Sequence, residues 1–194
     1  MKRLNGINKI KLAVFISGRG SNLISLIRFT SKKESKFIIK LVISSNSKAK
    51  GINFAKKYKI NKKIVNYNGS IENDNLILKE LKKNKIDTIC LAGFMKILSK
   101  NLIKKFDGKI FNIHPSLLPK YKGLNTHFRA IKNNEKFSGC TVHLVNSKLD
   151  SGKIILQKKV RVSNNETPKT LEKKILTQEH ILYPKALNKF YFNR

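Results

Sequence analysis

The stretch IKLAVFISGRGSNLISLI, residues 10 to 27, constrains the fold more than any other. Leu12 to Ile16 is unbroken apolar sequence, which a strand carries when both of its faces are buried, as in a parallel sheet. A glycine-rich turn, Gly18-Arg19-Gly20, follows at once. Then Leu23, Leu26 and Ile27 recur at helical spacing. Strand, tight turn and helix make a βα unit, whose next strand returns parallel to the first.

The rhythm repeats. FIIKLVISS (37 to 45) predicts a second strand, KAKGINFAKKY a helix, and KKIVNY a short third strand. ENDNLILKELKKNK predicts an amphipathic helix, and IDTICLAGF (86 to 94) another strand apolar on both faces. The expected class is α/β, a doubly wound, mostly parallel sheet with a Rossmann-like N-terminal half. After Met95 the pattern changes. SKNLIKKF predicts a helix and KIFNIH a short strand, and a turn-rich stretch then leads into a helix. GCTVHLVN and GKIILQKKVRV follow as two antiparallel strands. The closing segment TPKTLEKKILTQEHILYPKALNKF predicts a helix broken at Pro184. No repeat or linker interrupts the sequence. The expectation is one domain over 1–194, with a half at about 10–95 and an antiparallel C-terminal extension at about 96–194.

Composition removes several function classes. The longest apolar runs fall far short of the roughly twenty residues a membrane helix needs. Basic residues precede the first apolar run, but that run is only about five residues long and ends in Gly-Arg-Gly, not a small-residue cleavage site. The expected setting is cytoplasmic. Cys90 and Cys140 lack metal-ligand spacing and any disulfide framework, so no metal is expected. The formal net charge of +31 points toward nucleic acid if taken alone. Yet only six of the 42 cations can be arginine, and the lysines are scattered through every segment without interleaved aromatics. A solvated basic surface that attracts small phosphate-bearing substrates is the preferred reading. A basic nucleic-acid-binding module is the alternative from a different class.

The glycine turn has the chemistry of an anion site. Glycines let the backbone approach a ligand, and the following helix offers unpaired N–H groups and the positive end of its dipole. Gly20, Ser21 and Asn22 are the candidates, although Ser21 and Asn22 are also good N-cap residues that could simply start the helix. The turn is neither a Walker loop nor a full GxGxxG, because Leu23 fills the third glycine's place.

A second constellation carries reaction chemistry. Asn112 and His114 are two apart at the end of KIFNIH, so alternation points both to one side. Pro115 then fixes the exit of the chain. Asp150 sits in a glycine-containing turn in SKLDSGKIILQ, and a carboxylate beside an imidazole raises its pKa and fixes its tautomer. An amide donor, an imidazolium and a carboxylate suit a reaction that develops negative charge on a carbonyl oxygen and moves a proton off a nucleophile. His127, His143 and His180 are expected to be framework residues.

At these residues the chain resembles the folate-dependent formyltransferases, and among them the phosphoribosylglycinamide formyltransferases. SGRGSNL is similar to that family's substrate loop and LAGFMKILS to its folate-pocket segment. NIHPSLLPKYKGLNTH resembles its catalytic signature, LDSGKIILQKKV its aspartate loop, and TQEHILYP its closing helix. The resemblance implies a formyltransferase fold. It implies transfer of the formyl group of 10-formyltetrahydrofolate to the amine of glycinamide ribonucleotide, in purine synthesis. It further implies that Gly20, Ser21 and Asn22 hold the ribonucleotide phosphate and that Glu179 meets the glycinamide end. Met95, Lys96, Ile97 and Leu98 would line the folate pocket together with Asn112, and Asn146, Ser147, Lys148 and Leu149 would close over the pterin. Asn112 and protonated His114 would stabilise the oxyanion, and Asp150 would raise the His114 pKa and take part in proton transfer.

The sequence departs from the family in three places. NYNGSIENDN lacks an arginine, Leu176 replaces a glutamine, and Asn125 stands where a histidine is common. Within the superfamily the alternatives are another folate-dependent formyltransferase or a formyltetrahydrofolate hydrolase. A methionyl-tRNA formyltransferase is expected to add a domain for which 194 residues leave no room, and the hydrolase an N-terminal regulatory domain, whereas here the first strand is expected near residue 10. The expected partners are small molecules, with no membrane or nucleic acid, and the protein is expected to be a monomer or homodimer.

Overall fold

The computed structural model describes residues 9–192; the basic residues 1–8, ahead of the first strand, lie outside them. The chain divides into two compact units, one ending at Lys109 and one beginning at Ile110. That boundary falls later than Met95, where the sequence pattern changes.

The first unit alternates strand and helix: β1 (Ile10–Ile16), α1 (Ser21–Thr30), β2 (Phe37–Ser44), α2 (Ile52–Lys57), β3 (Asn61–Ile64), α3 (Ile71–Lys83), β4 (Thr88–Leu91) and α4 (Lys100–Lys105). The strands lie in the order β3-β2-β1-β4, and every pair is parallel. Registers such as Val14 with Val42 and with Cys90 place β1 at the centre. Leu12 to Ile16 are accordingly fully buried, as an unbroken apolar run requires. Removing Phe15 from water contributes about 2–3 kcal/mol, and its ring meets the edge of Phe94 at 5.4 Å. The order of strands reverses at β1, so the loops after β1 and β4 leave the sheet on either side of the switch point, where α/β sheets collect ligands.

Three boundaries differ from the sequence pattern, each for a local reason. The helix expected from residue 48 starts at Ile52, because Asn46 closes a turn by accepting the Lys48 N–H at 2.9 Å. The third strand ends at Ile64, so Tyr67 leaves the ladder and buries its side chain. β4 stops at Leu91, before Gly93 turns the chain at φ 71.

The second unit contains β5 (Lys109–His114), α5 (Thr126–Lys132), β6 (Phe137–Leu144), β7 (Ile154–Arg161) and α6 (Pro168–Phe192). β6 pairs antiparallel with both β5 and β7. The expected break at Pro184 does not occur, and α6 runs through it. A proline inside a helix costs about 3 kcal/mol through the lost N–H and its ring. Burial on both sides of it offsets this: Leu182 and Tyr183 before, Ala186 and Leu187 after. Tyr183 Oη also donates to the Phe111 carbonyl at 3.1 Å, and Phe190 meets the Phe111 ring edge-on at 5.1 Å. Parallel strands in the first unit and antiparallel strands in the second give the α/β class read from the sequence. Among the described residues, no helix is long and apolar enough to cross a membrane.

Candidate active site

The β5–β6 register sets Asn112 directly opposite His143 and His114 opposite Thr141. Alternation along β5 sends Asn112 and His114 to one side, and the turn after β6 brings Asp150 to them. Asp150 has φ 44, and its Oδ2 accepts the N–H of Gly123 at 2.9 Å. Oδ2 also lies 3.4 Å from His114 Nδ1, while Oδ1 lies 3.3 Å from Asn112 Nδ2 and 3.6 Å from His143 Nε2. Asp150 thus touches both of the other residues expected to act with it. His143, expected as a framework residue, packs against them, with Nε2 3.2 Å from Asn112 Nδ2. Its place was hidden in CTVHLV because only the strand register shows what it faces.

Carbonyl partners fix both imidazole tautomers, since a carbonyl can only accept. His114 Nε2 donates to the Tyr121 carbonyl at 2.8 Å, and His143 Nδ1 donates to the Leu144 carbonyl at 2.8 Å. With its Nδ1 hydrogen so placed, His143 can offer Nε2 as an acceptor to Asn112 Nδ2, 3.2 Å away. The Asn112 amide spends one hydrogen on His143 and the other on Asp150. Neutral His114 turns the Nδ1 lone pair toward a carboxylate oxygen, and protonation would convert that contact into an ion pair.

Burial pushes the His114 pKa down, while the Tyr121 carbonyl and Asp150 pull it up; the net position is below the ordinary imidazole value. The expected pull from Asp150 is present, but burial outweighs it. For Asp150, burial pushes upward, but the neighbouring His143 ring, the Gly123 N–H and the His114 ring hold the carboxyl below the usual range. The site thus sets a carboxyl with a lowered pKa beside two imidazole rings.

The loop after β5 is braced against the strands. Thr141 Oγ1 donates to the Ser116 carbonyl at 2.6 Å and accepts the Leu118 N–H at 3.1 Å. Gln157 Nε2 donates to the Leu118 carbonyl at 2.8 Å. Further along, Tyr121 Oη donates to Glu135 and Arg129 donates to the Lys122 carbonyl, which holds the Tyr121 carbonyl over His114. Asn146, Ser147, Lys148 and Leu149 form the turn that delivers Asp150, with Asn146 Oδ1 accepting the Lys148 N–H at 3.0 Å. Glu179 is buried on α6, and its charge adds to burial in pushing the Cys140 thiol up to about 12. His127 is half-buried, and its Nδ1 has no hydrogen-bond partner.

The other predicted residues lie in the first unit. Gly20, at φ 77, is the N-cap of α1 and supplies no side-chain cap, so Ser21 and Asn22 fall inside the first turn and are not its caps. Only glycine fits at Gly20, because an added Cβ would lie 2.6 Å from Gly51 Cα. After β4, Met95 and Ile97 are 69% and 72% exposed, whereas Leu98 is buried at 6%. The Leu98 side chain therefore serves the core and leaves only its backbone for a ligand. A cavity of about 590 Å³ opens beside this segment, lined by Ser17, Ser45, Asn46, Asn66, Met95 and Lys96 among others. Among the described residues, no group of three His, Cys, Asp or Glu side chains could hold a metal ion.

An α/β chain with a glycine turn at the switch strand and a buried amide–imidazole–carboxylate cluster has the form of a group-transfer protein. The Formyl transferase family pattern matches residues 10–187, and the chain belongs to that family. It is 40% identical over 183 residues to the phosphoribosylglycinamide formyltransferase of Haemophilus influenzae, covering 93% of this chain and 86% of that protein. It is 42% identical over 182 residues to the human trifunctional purine biosynthetic protein adenosine-3, covering 92% of this chain but spanning only 18% of that longer protein. The crystal structure of phosphoribosylglycinamide formyltransferase from Brucella melitensis superposes with a TM-score of 0.88 at 40% identity, covering 94% of this chain and 95% of that one. That of glycinamide ribonucleotide transformylase 1 from Symbiobacterium toebii gives 0.91 at 32% identity, covering 97% and 91%.

Proposed function

We propose that this protein transfers the formyl group of 10-formyltetrahydrofolate to the amine of glycinamide ribonucleotide, a cytoplasmic step of purine synthesis. The observation that carries the reading is the part-buried contact of Asp150 with Asn112 and His114 in a chain of the formyl transferase family. The folate supplies an activated one-carbon acyl group. Asn112 and His114 hold N–H donors where a carbonyl oxygen gaining negative charge needs them, in a setting that excludes water. Within the protein those donors meet Asp150, His143 and the Tyr121 carbonyl. A substrate oxygen therefore has to displace the Tyr121 carbonyl from His114 Nε2, or draw Asn112 away from its two acceptors. Asp150 favours the protonated ring, and the proton leaving the substrate amine has an acceptor in the carboxylate or, through it, in His114.

Binding is assigned on separate grounds for each substrate. The α1 N-terminus at Gly20, Ser21 and Asn22 offers backbone N–H groups and positive dipole to the phosphate, and Glu179 supplies a buried carboxylate for the cationic amine. Met95 and Ile97, large apolar side chains held out in solvent, fit the aromatic body of the folate, with Lys96 available to its carboxylates. The Asn146–Leu149 turn contributes backbone groups beside Asp150. Mixing the purified protein with both substrates and following the folate absorbance tests this. A change that requires glycinamide ribonucleotide supports it, and a change independent of the ribonucleotide, or none, refutes it.

A further inference from the structure

A buried polar knot braces the Met95–Leu98 segment from behind, and the chemistry just described does not use it. Asp74, in the first turn of α3, is 0% exposed. Its Oδ1 accepts from Tyr67 Oη at 2.9 Å, and its Oδ2 accepts from Ser99 Oγ at 2.5 Å and Asn101 Nδ2 at 2.8 Å. Tyr67 Oη in turn accepts the backbone N–H of Ser99 at 2.9 Å. Ser99 Oγ accepts the Leu102 N–H at 2.9 Å, which caps α4. Ser99 is thus held through both its main chain and its side chain.

The near end of the segment is held as firmly. Ser17 donates its backbone N–H to the Gly93 carbonyl at 3.0 Å, and its Oγ accepts the Met95 N–H at 2.8 Å. At the near anchor the Phe94 ring lies tilted against the Tyr67 ring at 6.0 Å and edge-on to Phe15 at 5.4 Å. Tyr67 therefore grips the segment twice, by its ring under Phe94 and by its hydroxyl on Ser99.

Stability alone is a poor reason for this arrangement. A buried carboxylate carries a desolvation penalty of several kcal/mol, and apolar residues of similar volume usually stabilise a core as well or better. What the carboxylate adds is direction, because it fixes three chain segments in one geometry: the loop after β3, the first turn of α3, and the start of α4. The stretch so fixed is the one that holds Met95 and Ile97 out in solvent and forms one wall of the 590 Å³ cavity.

We propose that Tyr67, Asp74 and Ser99 are positioning residues that preset the Met95–Leu98 segment and so determine affinity for the folate donor. The inference rests on the formyltransferase reading. Binding to a pre-ordered wall avoids the ordering cost that a loose segment would impose at each encounter. The network acts on donor binding and not on the reaction itself, so its loss raises the KM for 10-formyltetrahydrofolate and leaves kcat unchanged.

The test is calorimetric titration with tetrahydrofolate of the wild-type protein, Tyr67→Phe and Asp74→Asn, alongside steady-state kinetics. Tyr67→Phe removes a single oxygen and keeps the ring under Phe94, so it decides the matter if Asp74→Asn does not fold. The expected result is roughly tenfold weaker tetrahydrofolate binding, the scale on which loss of the hydroxyl's two hydrogen bonds, to Asp74 and from Ser99, loosens the segment. The KM for the formyl donor rises in parallel, while kcat and the KM for glycinamide ribonucleotide stay within about twofold. Ile77→Val, at a fully buried position of the same helix, is the control for stability loss alone. Wild-type affinity in Tyr67→Phe, or equal weakening in Ile77→Val at equal loss of Tm, overturns the positioning role. Failure of the wild-type protein to bind tetrahydrofolate overturns the formyltransferase reading itself.

Discussion

Replacing Asp150 with asparagine probes the candidate active site with almost no change of shape. Asparagine can still accept the Gly123 N–H through its carbonyl, a contact now 2.9 Å long. What disappears is the charge facing His114 Nδ1 at 3.4 Å. At that separation a full ion pair in an effective dielectric of about 20 is worth about 5 kcal/mol, an upper figure that applies only when the ring is protonated. The variant also turns an NH2 group toward one imidazole nitrogen or toward Asn112, disturbing the donors meant for substrate. Together these effects predict a fall in kcat of about two to three orders of magnitude, the scale seen when one preorganised donor is lost. KM values should change by less than about threefold, because the carboxylate serves the transition state and not ground-state binding. Asp150 pulls the His114 pKa upward; without it the imidazole becomes harder to protonate, and the limb of the pH–rate profile that needs protonated His114 moves to lower pH. The assay is the initial rate of substrate-dependent folate absorbance change across pH, with circular dichroism to confirm folding. A folded Asp150→Asn with kcat within about twofold of wild type would refute the assigned role.

Other expected outcomes follow from separate parts of the molecule. Gly20→Ala forces a Cβ to within 2.6 Å of Gly51 Cα at φ 77, which should lower Tm by several degrees, given about 1–2 kcal/mol for the left-handed conformation alone. An unchanged Tm by calorimetry would contradict that packing. Burial holds the His114 and His127 pKa values below the ordinary imidazole range. As pH falls through that range the unfolded chain takes up protons first, so stability drops between neutral pH and the folded-state values. Asp150, lowered, keeps its contribution until pH falls through its own depressed value. Thermal melts should show Tm falling from about pH 7.5 to 5.5 and a shallower fall in His127→Gln; a flat profile would contradict the burial argument. Pro184→Ala restores an N–H inside α6 and should raise stability by about 1 kcal/mol; a clear loss of Tm would mean that the ring packs better than the hydrogen bond it displaces.

The parallel half was legible because Leu12 to Ile16 and the Gly-Arg-Gly turn carry period and punctuation within a short window. The Asn112–His114 pair was legible for the same reason, since both lie on one face of one strand. Asp150 could be named as a partner from its turn chemistry, but its contact with both histidines depends on a β-ladder joining residues more than thirty apart. His143 was invisible by that same measure, because in CTVHLV it looks like any alternating residue until β6 is set against β5. The upward pull of Asp150 on His114 was legible, whereas burial, the larger influence, is a property of the packed core. Pro184 misled because local propensity registers the lost N–H, whereas burial on both sides of α6 does not show in a window of sequence. Asp74 gave no signal, as an aspartate in a first turn reads as an ordinary dipole partner.

Formyl transfer itself is the central claim, and an isotope experiment tests it most directly. The protein is incubated with 10-formyltetrahydrofolate carrying a labelled formyl carbon and with glycinamide ribonucleotide, and the products are separated and weighed by mass spectrometry. The account predicts that the label appears as one added formyl group on the ribonucleotide, at a rate reduced about a hundredfold or more in His114→Asn. Label released as free formate, with the ribonucleotide unchanged, would contradict it.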